Sequence, residues 1–515
     1  MIMNPLFSLR LTVLFGSVIV DLLASDPRDF VRKVSERLRT SRLPHRLIPW
    51  GLLRHYSDGE KSEARKLVQA GHLTAGVNLV LEQGKTAATA ETKLAKRTVR
   101  RIEQLEAPVV PSPPRTSVPD YRVLHLLTNS EPFTNSGYTV RSRHVLECQQ
   151  KESVAVRAVT RLGYPVLVGK LPRSVQQSID GITYRRLLPW FFSPRLQRRT
   201  DKAVQMLVAE ARAFGATILH TTTDYTNALV VAEAARRLNI PWVYEVRGEL
   251  ESTWAARQPV ERRADAENSE FYRLARRQET CCMQAAAAVI ALSEVSKQQM
   301  IIRGVPAEKI TVVPNAVNED EIGRTFNKEE IRRELGLDVH QKLVGTVTAV
   351  VDYEGLDTLV EALAHLPEDF SVLIVGEGTA RPGLEQRAAE LGLTGRAIFA
   401  GRQPNENIWR WYAALDVFVV PRKDTEVTRN VTPIKPLMAM ALDIPVVTSD
   451  LPALREVTGG RATYVVAGEP VLLAKEVQAV VGTRQGGPDW ARQRTWQANG
   501  RRYRGVYNRL LDGSR

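Results

Sequence analysis

Cysteine is scarce in this chain: Cys148, Cys281 and Cys282 are the only three in 515 residues. Cys281 and Cys282 are adjacent and would not normally bridge to each other, so no disulfide framework is expected and a reducing compartment is the simple reading. No run of His, Cys, Asp or Glu has metal-ligand spacing. Long apolar runs are also lacking. LTVLFGSVIV at 11–20 is about ten residues, between Arg10 and Asp21, where roughly twenty are needed to cross a bilayer. It does not make a convincing signal peptide either. No recognised nucleic-acid motif accompanies the net charge of +14, so nucleic acid is not an expected partner.

What is present suits a soluble core. Hydrophobic residues make up 43% of the chain, and 515 residues leave room for two or three domains. Residues 1–106 hold 18 Lys and Arg against 11 Asp and Glu, so seven of the fourteen excess positive charges lie in a fifth of the chain. Such an excess favours anionic partners, or it is a solvated helix face.

Residues 1–107 read as a helical extension. RDFVRKVSERLRTSRL (28–43), EARKLVQAGHLTAGVNLVLEQG (63–84) and ETKLAKRTVRRIEQLEA (91–107) carry apolar residues at helical spacing. Two readings stay open: a peripheral membrane or partner contact through residues 1–46, or an appendage packed on the main body. PVVPSPPRTSVPD (108–120) is a proline-rich linker. From 121 onward, strand and helix alternate, which predicts α/β architecture with parallel sheets. One unit is expected over 121–325 and a second over 326–488, with an amphipathic terminal helix over 489–515.

The richest stretch is DVFVVPRKDTEVTRNVTPIKPLMAMALDIPVVTSDLPALREV (416–457). DVFVV is a strand. RKDTEVTRN is a polar loop with five charges. Pro433 and Pro436 sit where a helix begins, since proline tolerates the first turn only. IPVVTSD is a second strand. A polar loop and a helix start at a strand's carboxyl end form the usual ligand crevice of an open α/β sheet, and Arg422, Arg429 and Lys435 add positive charge.

This stretch resembles glycosyltransferase family 4, the retaining enzymes of GT-B fold, and most of all a bacterial branch with a VTPxKPxEAMA-like motif. The resemblance extends over SGYTVR (136–141), ILHTTTDYTNALVVAEAARRLNIPWVYEVRG (218–248), VPNAVN (313–318), YEGL (353–356) and SVLIVGEGTARPGLEQRAAELGL (371–393). It implies two facing Rossmann-like domains with an added N-terminal helical region, the terminal helix packing back on the N-terminal domain. It also implies transfer of a sugar from a nucleotide diphosphate sugar to a cell-envelope polysaccharide, lipid or small-molecule acceptor. No cofactor is expected beyond that donor, and the enzyme is expected to be cytoplasmic or peripheral at the inner face of the membrane.

The resemblance also assigns residues. Lys435 and Arg422 would stabilise the departing diphosphate, because Ala349 and Glu354 occupy the loop where the family commonly carries arginine and lysine. Arg247 stands where many members have a histidine near the transferred sugar. Glu245, two residues earlier on the same strand face, is placed to pair with it. Gly137, Gly355, Arg402, Arg429, Thr432, Pro433, Met438 and Glu456 are the donor-binding candidates. Met438 is a departure, since the family usually has a glutamate there to hold the ribose hydroxyls. Glu426 or Glu456 could substitute. The departure keeps an alternative in view: a GT-B protein with lost or weakened catalysis, acting as a binding or assembly subunit.

Overall fold

The structure, a computed structural model, describes residues 5–25, 62–113 and 120–511. The 28–43 helical segment and residues 114–119 of the proline-rich linker lie outside the described residues. The chain divides into two compact units. One comprises residues 1–146, 154–289 and 509–515; the other comprises 147–153 and 290–508.

The first sheet has eight strands in the order β3-β4-β2-β1-β5-β6-β7-β8. They are β1 Arg122–Leu127, β2 Ala155–Thr160, β3 Gln176–Ile179, β4 Ile182–Arg186, β5 Ile218–Thr222, β6 Trp242–Glu245, β7 Ala288–Ala291 and β8 Ile310–Val312. β3 pairs antiparallel with β4, while β1 pairs parallel with both β2 and β5. β1 and β5 are buried almost throughout, as strands covered on both faces must be.

The second sheet has six strands in the order β11-β10-β9-β12-β13-β14. They are β9 Lys342–Val347, β10 Phe370–Val375, β11 Ala397–Gly401, β12 Val417–Val420, β13 Val446–Ser449 and β14 Thr463–Val465. Alternation along each strand feeds two cores. Val417 and Val419 join Val372, Ile374 and Val447 under the helices Leu356–Leu363 and Pro470–Val480. Phe418 and Val420 join Leu373, Val375 and Val446 on the opposite face. The chain's winding reverses between β9 and β12, so loops from these neighbours open a crevice at their carboxyl ends.

The N-terminal helices Glu63–Gln69, Leu73–Glu82 and Thr89–Leu105 pack on one another around Ala64, Val77, Val80 and Ala95. They also attach to the body of the first unit. The Phe271 N–H donates to the Gly71 carbonyl at 2.9 Å, and the Arg101 guanidinium lies over the Phe271 ring at 4.1 Å. Residues 63–105 are therefore a packed appendage.

The apolar stretch at 11–20 is longer in space than the sequence suggests. It lies within one helix, Pro5–Ser25, of 21 residues. Over Pro5–Leu23 this helix is long and apolar enough to cross a membrane by length and composition. Arg10 and Asp21 do not end it, because both are satisfied by the first unit: Arg10 donates to the Leu188 carbonyl, and Asp21 pairs with Arg199 at 2.5 Å. A charge that interrupts an apolar run need not interrupt a helix when it finds a partner beside it.

The loop RKDTEVTRN also differs from expectation. It contains a short helix, Glu426–Asn430, capped by Thr425, whose side chain accepts from the Thr428 N–H while Thr428 returns a bond to the Thr425 N–H. The last helix, Trp496–Leu511, lies against the end of the helix Gly137–Lys151, where Arg504 donates to the Glu152 carbonyl at 2.8 Å.

Candidate active site

In the second unit the expected residues converge at the β9/β12 crevice. β9 delivers Thr348, and β12 delivers Arg422 one residue after Pro421. The loop 352–355 crosses between them. Its Gly355 has φ +68°, and a Cβ there would collide with the Pro421 carbonyl oxygen. The close approach of two backbones is thus enough to require glycine at 355. Lys423 fastens the same two loops, reaching Asp352 and Asp357 at 2.8 Å each.

Glu354 lies at the centre of the cluster. It is buried and receives two bonds from Arg422, Nη2 to Oε1 at 2.9 Å and Nε to Oε2 at 3.2 Å. It also receives Lys435 Nζ at 3.3 Å. Lys435 donates further to Thr348 Oγ1. Arg422 Nη1 holds the Val431 carbonyl at 2.9 Å. Burial alone would push the Glu354 carboxyl up, but Lys435 and then Arg422 hold it down at about 2. Burial pulls the Lys435 ammonium below the usual lysine range, against the pull of Glu354. Two cations around one carboxylate leave one net positive charge in a low-dielectric crevice.

The other candidates separate. Thr432 and Pro433 are buried beside Lys435; Asn315 Nδ2 donates to the Thr432 carbonyl at 3.0 Å. The Thr432 hydroxyl is buried with no partner among the described residues. Met438 is half-buried and packs against the apolar core below β12. Arg429 is exposed and paired with Asp424, and Arg402 is exposed. Glu456 does something else: its carboxylate accepts the N–H groups of Glu294 at 2.7 Å and Val295 at 3.0 Å, capping the helix Glu294–Ile302.

In the first unit a second buried cluster lies at the carboxyl ends of β1, β5 and β6, where that sheet also reverses its winding. The pairing of Glu245 with Arg247 is present, Nε to Oε1 at 2.9 Å. Arg141, buried, donates to the same oxygen at 2.8 Å. Arg247 also donates to Ser142 Oγ at 2.6 Å and to the Tyr138 carbonyl at 3.0 Å, tying β6 to the first turn of the helix that Gly137 opens. His220 lies 3.3 Å from Glu245 and stacks on His125 with ring centroids 4.5 Å apart. Burial lowers the His220 pKa despite Glu245, while Arg247 and Arg141 outweigh burial and hold Glu245 well below the usual carboxylate range. The histidines were not singled out by sequence reasoning. The available signal was their equivalent position on two strands, since His125 and His220 are register partners. A Cβ on Gly137 would meet nothing within 4 Å, so the chain itself does not demand glycine there. Among the described residues no group of three or more His, Cys, Asp and Glu could hold a metal ion.

Comparison with known proteins bears on the domains and the fold. Residues 136–316 match the glycosyl transferase 4-like domain, and residues 327–487 match the glycosyl transferases group 1 domain. The chain is 35% identical over 159 residues to the lipopolysaccharide core biosynthesis mannosyltransferase LpsB of Rhizobium meliloti, covering 29% of this chain and 43% of that protein. It is 28% identical over 211 residues to the 2-deoxystreptamine glucosyltransferase of Streptomyces kanamyceticus, covering 39% and 53%. The match thus spans about half the length of these curated relatives. Among solved structures, sucrose-phosphate synthase from Thermosynechococcus elongatus superposes with a TM-score of 0.59 at 19% identity, covering 76% of this chain and all of that one. HepE of Anabaena, solved in complex with UDP, gives 0.55 at 18% identity, covering 75% and 99%. The structural likeness is one of fold. With two Rossmann-like sheets and these two matched domains, the chain belongs to the GT-B glycosyltransferases.

Proposed function

We propose that the chain transfers a sugar from a nucleotide diphosphate sugar to a cell-envelope polysaccharide, lipid or small-molecule acceptor, with retention of configuration. The observation that carries this reading is the Lys435–Glu354–Arg422 cluster at the winding reversal of the second sheet. Leaving of a nucleoside diphosphate develops negative charge, and a preorganised cation in a water-poor crevice stabilises it.

The roles divide by exposure. Lys435 is partly exposed, and two of its three N–H groups are engaged by Thr348 and Glu354, leaving one for a phosphate oxygen. The buried Thr432 hydroxyl beside it suits a second ligand oxygen. Arg422 is 5% exposed and bound to Glu354 and the Val431 carbonyl, so it acts as a positioning residue that holds Glu354 under Lys435. In the first unit, Arg247 and Arg141 clamp Glu245 and fix the helix that begins at Gly137, whose open side suits donor or acceptor. Retention rests on the resemblance of the 431–457 stretch. HepE, of the same fold, was solved with UDP and glucose, so UDP is the first nucleotide to test.

The test is Lys435→Ala. Turnover should fall by roughly 10²–10³-fold, the size of losing one preorganised transition-state donor, and the melting temperature should fall too, because the buried Glu354 keeps only Arg422; turnover is therefore compared well below the variant's melting temperature. Undiminished turnover would remove Lys435 from the reaction.

A further inference from the structure

The helix Pro5–Ser25 has two apolar faces. Leu11, Leu14 and Val18 are buried against the first unit, and Ser17 Oγ accepts the Phe192 N–H at 2.9 Å. The opposite stripe runs Leu6, Leu9, Val13, Gly16, Val20 and Leu23, spaced by three and four residues as one helix face requires. Its side chains are exposed, with Leu6 at 64% and Val20 at 65%. Eighteen residues of helix make this stripe about 25 Å long. Aromatic and aliphatic side chains extend it. Trp190 and Phe191, immediately before the residue that bonds Ser17, are exposed, as is Leu171, just beyond the Val166–Val168 turn that the helix touches. A patch of this length and composition is unusual on a face that meets only water.

The charge around the patch is one-sided. The segments 5–25, 166–175 and 187–200 carry six basic residues, Arg10, Lys170, Arg173, Arg195, Arg198 and Arg199, and one acidic residue, Asp21. Asp21 is itself neutralised by Arg199. An apolar strip edged by a tryptophan and by exposed cations matches the layered chemistry of an anionic bilayer surface: hydrocarbon below, phosphate groups above.

We propose that this face lies in the surface of an anionic membrane, with the helix in the plane of the bilayer rather than across it. The bonds from Arg10, Ser17 and Asp21 to the first unit keep the opposite face on the protein. Insertion would thus bring the whole first unit against the lipid. The inference is independent of which sugar or acceptor is used.

The experiment is flotation of the purified full chain with vesicles of phosphatidylglycerol and phosphatidylcholine, against phosphatidylcholine alone, at low and high salt. The expected result is flotation with the anionic vesicles, weakened by salt. In a second variant, Lys170→Ala with Arg173→Ala and Arg195→Ala should weaken binding by roughly fivefold per charge at low salt. Leu9→Ser with Val13→Ser and Val20→Ser should weaken it by roughly tenfold or more, with the melting temperature unchanged because these side chains are exposed. Four results overturn the proposal. They are absence of flotation with either vesicle, flotation unaffected by the serine variant, a serine variant that melts earlier (the face is then covered by the chain itself), and a wild-type dimer that the serine variant dissolves. A fifth comes from carbonate extraction of cell membranes: release agrees with an in-plane helix, and retention, which means that the helix spans, overturns the in-plane placement.

Discussion

Replacing Glu279 by glutamine should stabilise the protein at alkaline pH. Glu279 is buried in the first unit, 3% exposed, and its carboxyl accepts the Tyr225 N–H at 2.7 Å and the Tyr244 hydroxyl at 2.5 Å. No cation pairs with it among the contacts described. Burial, with the Glu251 and Asp224 carboxylates adding to it, pushes its pKa from 4.5 up to about 8. Between those values the folded state holds a proton that the unfolded chain has released. Stability therefore falls as pH rises through this window, and the loss is complete above about 8. The shift corresponds to roughly 4–5 kcal/mol at full deprotonation. Glutamine reproduces the protonated acid: its carbonyl keeps the Tyr225 N–H, and its amide donates to Tyr244, whose hydroxyl turns to accept. At about 2–4 °C per kcal/mol, the variant should melt roughly ten degrees higher than wild type at pH 8.5 and equally at pH 4.5. Thermal melts from pH 4.5 to 9 read this directly. Parallel curves, or a variant that melts earlier at pH 8.5, would refute the buried neutral carboxyl.

Three substitutions sort the remaining candidates. Glu456→Ala removes both acceptors at the start of the helix Glu294–Ile302 and should cost about 0.5–2 kcal/mol, with the nucleotide dissociation constant unchanged; a weakened nucleotide affinity would return Glu456 to the donor site. Gly137→Ala should leave the melting temperature untouched, since its Cβ meets open space; a fall in turnover then reports a ligand against the residue, and unchanged turnover removes it from the site. Met438→Glu should tighten nucleotide binding by roughly tenfold, as one charged hydrogen bond to a ribose hydroxyl would; no gain means that the ribose is held elsewhere.

The strand and helix order was legible because both sheets are parallel and buried, so that each strand is a short apolar run between polar loops, as DVFVV is before RKDTEVTRN. Pairs close in sequence were legible too: Glu245 and Arg247 share a strand face and meet. Pairs set by topology were not. Lys435 and Glu354 are 81 residues apart and meet only because β9 and β12 are neighbours in the sheet. His125 and His220 stack because β1 and β5 are paired in that register. Glu456 follows the motif and so reads as a donor ligand, yet it accepts from the first N–H groups of a helix more than 150 residues earlier in the chain. The apolar run 11–20 reads as too short to span a bilayer because Arg10 and Asp21 flank it, and their partners, Leu188 and Arg199, lie far along the sequence.

If Lys435 meets the diphosphate of a nucleotide donor, its removal must weaken nucleotide binding. The most direct measurement is the melting temperature of wild type and Lys435→Ala with UDP, GDP and ADP. A nucleotide at about 100 times its dissociation constant should add roughly 2.7 kcal/mol. A clear rise is expected in wild type with one of the three, UDP tested first, and little or none in Lys435→Ala. No rise with any nucleotide in well-folded protein, or an equal rise in both proteins, would contradict that contact.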